Sequence, residues 1–298
     1  MLSLAGPISH YLLAHRVLNE YQKFGGAPVC HSAFCWGAQG PDFLFYGFPL
    51  ASEGKNLAVL GSRMHKGDPA PLFAAMRSYC ENLPQDDPIR SYVLGFLCHY
   101  SLDRTVHPFV YAQIRELKKV YPERPGVFLH SQIETALDNV TLRFEEEELP
   151  TSFNLRNSVP KDPDVQRAVS VFYEHLLRSV YHRTVKSSAV LSAMRNCRLV
   201  GTLQNDRTGI KKSFFEKAEK LTGKYYVSCF FHGLMESDDY DYANVSGAPW
   251  YWPPADSRPH CETYLDLYRR SAKESLELIA GFYQEAVFEA SAGHIPFS

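Results

Sequence analysis

The chain has 298 residues, 45% of them hydrophobic and 21% charged, with a formal net charge of −2 and a pI near 6.6. That is an ordinary globular composition, long enough for one large domain or two modest ones with a sizeable core. The balance of charge excludes a globally basic nucleic-acid binder and leaves room only for a local basic patch.

Seven cysteines without a CxxC pair read as reduced thiols, not as a disulfide framework or a zinc ribbon. No run of about 18 apolar residues is present for a transmembrane helix. The N-terminal stretch lacks a basic region, and Gly6, Pro7 and His10 interrupt what would be a signal core. The expectation is a cytoplasmic protein.

Helical periodicity dominates. After Pro7, residues Ile8, Leu12, Leu13, Val17 and Leu18 recur on one face. His10 and His15 ride on this helix, where a surface or interhelical hydrogen bond accounts for either. His31 lies near Cys30 and Cys35 at a spacing that matches no metal template and reads as structural. Asp42 stands between Pro41 and an aromatic run, placed to cap a helix. His65, after Met64, reads as a loop histidine.

Asp87 and Pro88 form an N-cap and first helical position. The run that follows, "YVLGFLCHY" (92–100), is apolar nearly all round, as in a helix buried among others. His99, Asp103 and His107 then step by four along one face. Pro108 disfavours helical geometry at the residue before it, so the helix is expected to end at His107. An unpartnered buried carboxylate costs several kcal/mol or protonates, of that order, and a metal ion removes the problem.

A further helix, "FLHSQIETALDNVTLRF" (128–144), carries His130 and Glu134 in the same register. Asp138 continues that face and is expected to orient a ligand imidazole from behind. Pairs of this kind also arise by chance, and His232–Glu236 is a third. "EEEE" at 145–148 reads as a solvated helix end. "DPDV" at 162–165 opens another capped helix, on which His175 and His182 line core or groove. "KYYVSCFF" (224–231) reads as a strand or a buried helical turn. Residues 238–259 form a long aromatic and proline-rich loop, a kind that is functional or tightly packed. Its Trp250, Tyr251 and Trp252 wall a cleft or, more commonly, anchor the loop on the core. Residues 261–288 read as one long amphipathic helix. The architecture is all-α, a single helical domain over 1–298, with a metal-site half at about 7–138 and a C-terminal helical half at about 150–298.

The order of these pieces is specific. His10, Asp42 in "GPD", His65, His99-Tyr100-x-x-Asp103 with His107-Pro108, and His130-x-x-x-Glu134 together resemble the zinc-dependent phospholipase C family of bacteria. The same order occurs in the related single-strand nucleases of the S1/P1 type. The resemblance covers residues 7–138, and "HY…D…HP" followed by HxxxE is its most specific element.

It implies a multi-helix phospholipase C/P1 nuclease-like domain that holds two or three zinc ions in a cleft. Asp42, His65, His99 and Asp103 would ligate the first ion. His107, His130 and Glu134 would ligate the second, and His10 with a bridging Asp103 the third. The first and third ions would share a hydroxide suited to in-line attack on phosphorus, with Asp42 as general base.

Three features depart from the family pattern. The interval between Asp103 and His107 is shorter. The chain has no tryptophan before Trp36, whereas the secreted enzymes complete the third site with an N-terminal Trp; water, His15 or another residue would take its place. Phe43 stands where the secreted lipases have a choline-holding Tyr.

The expected function is zinc-dependent hydrolysis of a small-molecule or phospholipid phosphodiester. The alternatives are a nuclease or nucleotide phosphodiesterase on the same metals, or a metal-binding helical protein without catalysis. No nucleic-acid duplex is expected as partner, and peripheral membrane contact through an apolar rim at 240–254 is left open.

Overall fold

The computed structural model describes residues 6–47, 52–235, 239–253, 258–292 and 294–298. Regular structure among them is helical, apart from one isolated antiparallel bridge between Trp250 and His260. The helices are α1 (Pro7–Lys23), α2 (His31–Ala38), α3 (Ser52–Lys66), α4 (Ala70–Glu81), α5 (Pro88–Val120), α6 (Gly126–Glu146), α7 (Pro163–Ser179), α8 (Ser187–Gln204), α9 (Ile210–Thr222), α10 (Tyr264–Gly281) and α11 (Glu285–Ala292).

The bundle is organised around α5, whose 33 residues span about 50 Å. It packs against α1, α2, α6, α7 and α10. Such enclosure explains the nearly continuous apolar run from Tyr92, since no side of this helix faces water for long. The caps follow the sequence: the Asp87 carboxylate accepts from Ile89 N at 2.8 Å, and the Asp162 carboxylate from Val165 N at 3.2 Å. Contact between α2 and α5 is backbone to backbone. A Cβ on Gly95 would stand 2.2 Å from the Phe34 carbonyl, so only glycine permits this approach.

Two expectations are corrected, and one open alternative, strand or buried helical turn, is decided for the turn. First, α5 does not end at His107 but runs through Pro108 to Val120. Proline inside a helix costs about 3 kcal/mol. Burial of Val106, Phe109, Val110 and Ala112 around it outweighs that penalty. Second, "KYYVSCFF" is not a strand. The Glu219 carboxylate accepts the backbone N–H groups of Tyr226, Val227 and Ser228, which turns the chain into a short 3-10 helix at Ser228–Phe230. Third, the closing helix is two, since α10 stops at Gly281 and α11 restarts at Glu285.

The described part of the loop before α10 is held by its own hydrogen bonds and by one anchoring ring. Asp241 accepts from Val245 N and Ser246 N, and Asn244 donates to the Ala248 and Glu262 carbonyls. Trp250 anchors on the core, with its ring against Phe109 and His260 and its indole N–H on the Glu262 carbonyl.

Candidate metal centre

The eight sequence-predicted residues come together, and seven of them, all but the fully buried His99, line one cavity. His10 comes from α1 and His65 from the last turn of α3. His99, Asp103 and His107 come from α5, and His130 and Glu134 from α6. Asp42 opens the short 3-10 helix Asp42–Tyr46 that follows α2. Three groups bring ligand-type atoms within 4.8 Å of one another: His10, His99 and Asp103; Asp42, His65 and His99; His107, His130 and Glu134.

Asp103 is the hub. Its Oδ1 lies 3.2 Å from His10 Nε2 and 3.8 Å from His107 Nδ1. Its Oδ2 lies 3.2 Å from His99 Nε2 and 3.6 Å from His65 Nε2. His65 Nε2 is also 2.9 Å from Asp42 Oδ1. On the other side, Glu134 Oε1 lies 3.0 Å from His130 Nε2 and 3.4 Å from His107 Nε2.

The opposite edge of three rings fixes what these contacts mean. His65 Nδ1 is 2.8 Å from the Gly61 carbonyl, His107 Nδ1 2.8 Å from the Phe297 carbonyl, and His99 Nδ1 3.3 Å from the Ala38 carbonyl. A carbonyl only accepts, so each Nδ1 carries the proton. In the neutral rings the Nε2 lone pairs then face carboxylate oxygens, which is repulsive unless a cation lies between. His10 Nδ1, His99 Nε2 and Glu134 Oε2 are moreover buried without a hydrogen-bond partner. This donor set suits zinc, with imidazoles turned outward by backbone acceptors and carboxylates opposite.

Electrostatics without a metal point the same way. Burial works against the charged form of His107, yet Asp103 and Glu134 outweigh it and raise its pKa well above the ordinary value. Asp103 is held well below the carboxylate range despite burial, chiefly by His107 and His99. Burial likewise opposes ionisation of Glu134, but His130 and His107 pull it down to about 2. His99 goes the other way: burial lowers its pKa, and His10, stacked at 4.2 Å between centroids, adds to the effect. Without a metal, the buried carboxylates thus draw protons onto His10, His65 and His107, the positive charge that a bound cation would supply instead.

The site depends on a close backbone approach at Gly40, which has φ +52. A Cβ there would lie 2.2 Å from the His99 ring. Beyond the polar cluster opens a cavity of about 620 Å³. Phe45, Val59, Tyr111, Ile114 and Val127 line it, with Lys66 as the cation among the lining residues. Tyr111 stacks on Trp252 at 5.2 Å and lies 5.7 Å from the His130 ring. The two tryptophans of the long loop therefore divide the expected roles: Trp250 anchors and Trp252 backs the cavity wall.

Several neighbours behave differently from expectation. Asp138 orients no ligand imidazole. It accepts from Ile8 N, Ser9 N, Ser9 Oγ and His232 Nε2, and so caps α1 from outside. His232 pairs with Asp138, while Glu236 lies outside the described residues. His15 turns to Cys35 and His31, not into the cavity. Phe43 is fully buried between Trp36 and Tyr173.

A contributor with no signal in the sequence is the C-terminal stretch. Phe297 N and Ser298 N donate to the His65 carbonyl, and the Phe297 ring packs near His65 and His99. No periodicity or motif links residue 297 to residues 65 and 107.

A helical scaffold that closes imidazoles and carboxylates around an open cavity is the architecture of a metal-dependent hydrolase. Residues 9–183 match the model of the family described as zinc dependent phospholipase C, more than half of the chain, and the protein belongs to that family. It is thereby a zinc-dependent phosphodiester hydrolase. The match runs beyond residue 138, through α6 and α7. No curated protein and no solved structure matches the chain. No helix among the described residues is long and apolar enough to cross a membrane.

Proposed function

We propose that the eight residues form a multinuclear zinc centre that hydrolyses a phospholipid-type phosphodiester. Asp42, His65 and His99 would hold one ion, and His107, His130 and Glu134 a second. His10 and Asp103 would hold a third, with Asp103 shared toward the first. The observation that carries this is the outward commitment of three Nδ1–H groups, which aims three Nε2 lone pairs at carboxylate oxygens.

Zinc bound there supplies Lewis acidity and a nucleophilic water at neutral pH. The protein's own groups do the rest. Asp42 turns Oδ1 to His65, which leaves its other oxygen to take a proton as general base. The apolar wall of Phe45, Val59, Ile114 and Val127 accepts the hydrophobic part of the substrate and excludes water. With Phe43 buried, headgroup selection falls to other residues.

The apolar wall favours a lipid over a polynucleotide, which would call for a basic, stacking groove. An open cavity beside the cluster favours a catalytic site over a closed structural one. The test is elemental mass spectrometry of untagged protein purified without added zinc, followed by hydrolysis of a short-chain phospholipid and of single-stranded DNA. Two or more zinc per chain and cleavage of the lipid diester are expected. Faster cleavage of DNA would make the enzyme a nuclease, and no metal uptake on titration would overturn the centre.

A further inference from the structure

A second group of ligand-type side chains meets where α1 passes α2. Cys35 Sγ lies 3.7 Å from His15 Nε2, and 3.7 Å from both ring nitrogens of His31. The two imidazoles stand edge to face, with centroids 5.0 Å apart. One ligand-type atom from each of the three residues falls within 4.8 Å of the others. Local structure explains the convergence. His31 and Cys35 are four apart on α2 and share a face. His15 is held by Tyr11, one turn earlier on α1, at 4.2 Å between centroids.

We propose that His15, His31 and Cys35 form a separate metal site that takes one zinc-class ion and staples α1 to α2. The spacing fits. Zn–S near 2.3 Å and Zn–N near 2.0–2.1 Å at a tetrahedral angle give S···N of about 3.5–3.6 Å. The observed 3.7 Å to His15 Nε2 is close to that value, and His31, whose two ring nitrogens are both 3.7 Å from the sulfur, would turn its ring to aim one lone pair at the ion. Among the described residues Cys35 Sγ lies between both imidazoles, so one ion placed there would reach all three side chains.

Binding exchanges the Cys35 S–H proton, released to solvent, for an S–metal bond. One thiolate with two imidazoles selects a borderline-soft ion such as zinc over magnesium or calcium. The fourth position falls to water. Such a staple would fix α1, which carries His10, against α2, which leads through Gly40 to Asp42.

Sulfur makes the test specific, because the cavity centre offers only nitrogen and oxygen donors. Metal-free full-length protein is titrated with Co²⁺ and followed by absorption. The expected result is a thiolate-to-cobalt charge-transfer band in the near ultraviolet whose final amplitude corresponds to one sulfur-bound cobalt per chain. Cys35→Ser abolishes the band and lowers the bound cobalt by one ion per chain, while the visible bands of the nitrogen–oxygen centre persist. Should Cys35→Ser fail to fold, His31→Ala, on an exposed position, carries the same prediction. Cobalt binding without a sulfur band, or a band unchanged in either folded variant, overturns the site. Visible bands without the sulfur band would refute this site and leave the hydrolytic centre standing.

Discussion

Asp138 lies wholly inside the protein on α6, and the chain meets its needs: two backbone N–H groups, a serine hydroxyl and the His232 ring surround it. Asp103, on α5, is almost as enclosed. Around it stand four imidazoles, three of which give their Nδ1–H to backbone carbonyls. Both aspartates follow a histidine by a multiple of four in sequence, and that spacing does not separate them. The partners do. Asp138 is satisfied by donors, whereas Asp103 faces the Nε2 atoms of His65 and His99, lone pairs in the neutral rings that a cation between would reconcile. The first arrangement builds a joint between helices; the second is the one proposed to hold metal.

Exchanging each carboxylate for its amide tests that distinction. Asp103→Asn should give the largest effect, a loss of at least about 1000-fold in phosphodiester hydrolysis with fewer zinc ions per chain. Its melting temperature in chelator should stay near or above that of the parent, because a buried charge is gone. Asp138→Asn should do the reverse. It should lose about 2–4 kcal/mol of stability in urea unfolding, through weakened capping of α1 and a broken pair with His232, and keep its zinc count. Equal zinc counts in both variants would erase the contrast.

Much of this was legible in the sequence because the decisive spacings are local. His99, Asp103 and His107, like His130 and Glu134, lie on one helical face, and any α-helix brings such steps together. The caps at Asp87 and Asp162 are equally local. The family order supplied what no local rule could, that His10, Asp42 and His65 join them. What stayed hidden depends on distant partners. Helical continuation through Pro108 is decided by what packs around it, not by the proline. The role of Asp138 is set by residues about 130 positions away, and the partner of His107 Nδ1 is 190 positions away. Likewise the spacing of His31 and Cys35 matches no template because their third member sits on another helix.

The C-terminal stretch sharpens the comparison from outside the ligand set. The Phe297 carbonyl fixes the His107 tautomer, and Phe297 N with Ser298 N hold the end of α3 that presents His65. Removing residues 295–298 should weaken zinc binding about 10–100-fold, the usual effect of losing an outer hydrogen-bond partner. Zinc competition against a chromophoric chelator measures it. The loss should concentrate on the ion held with His130 and Glu134, so Glu134→Gln in the truncated chain should add little. Full additivity would mean that the tail acts on stability and not through His107.

The smallest effect is expected at Trp252, which reaches the centre only through Tyr111. The Trp252 ring stacks on Tyr111, and Tyr111 in turn lies 5.7 Å from the rings of both His107 and His130. Trp252→Ala removes a stacking contact of about 0.5–1.5 kcal/mol and leaves every ligand-type atom in place. If the pair serves as a wall for the substrate's apolar part, KM for a phospholipid should rise about three- to tenfold with kcat and zinc count unchanged. A fall in kcat with altered metal content would instead place Tyr111 and Trp252 with the groups that hold His107 and His130, beside the Phe297 carbonyl. The KM-against-kcat split therefore shows where the metal centre ends and the substrate wall begins.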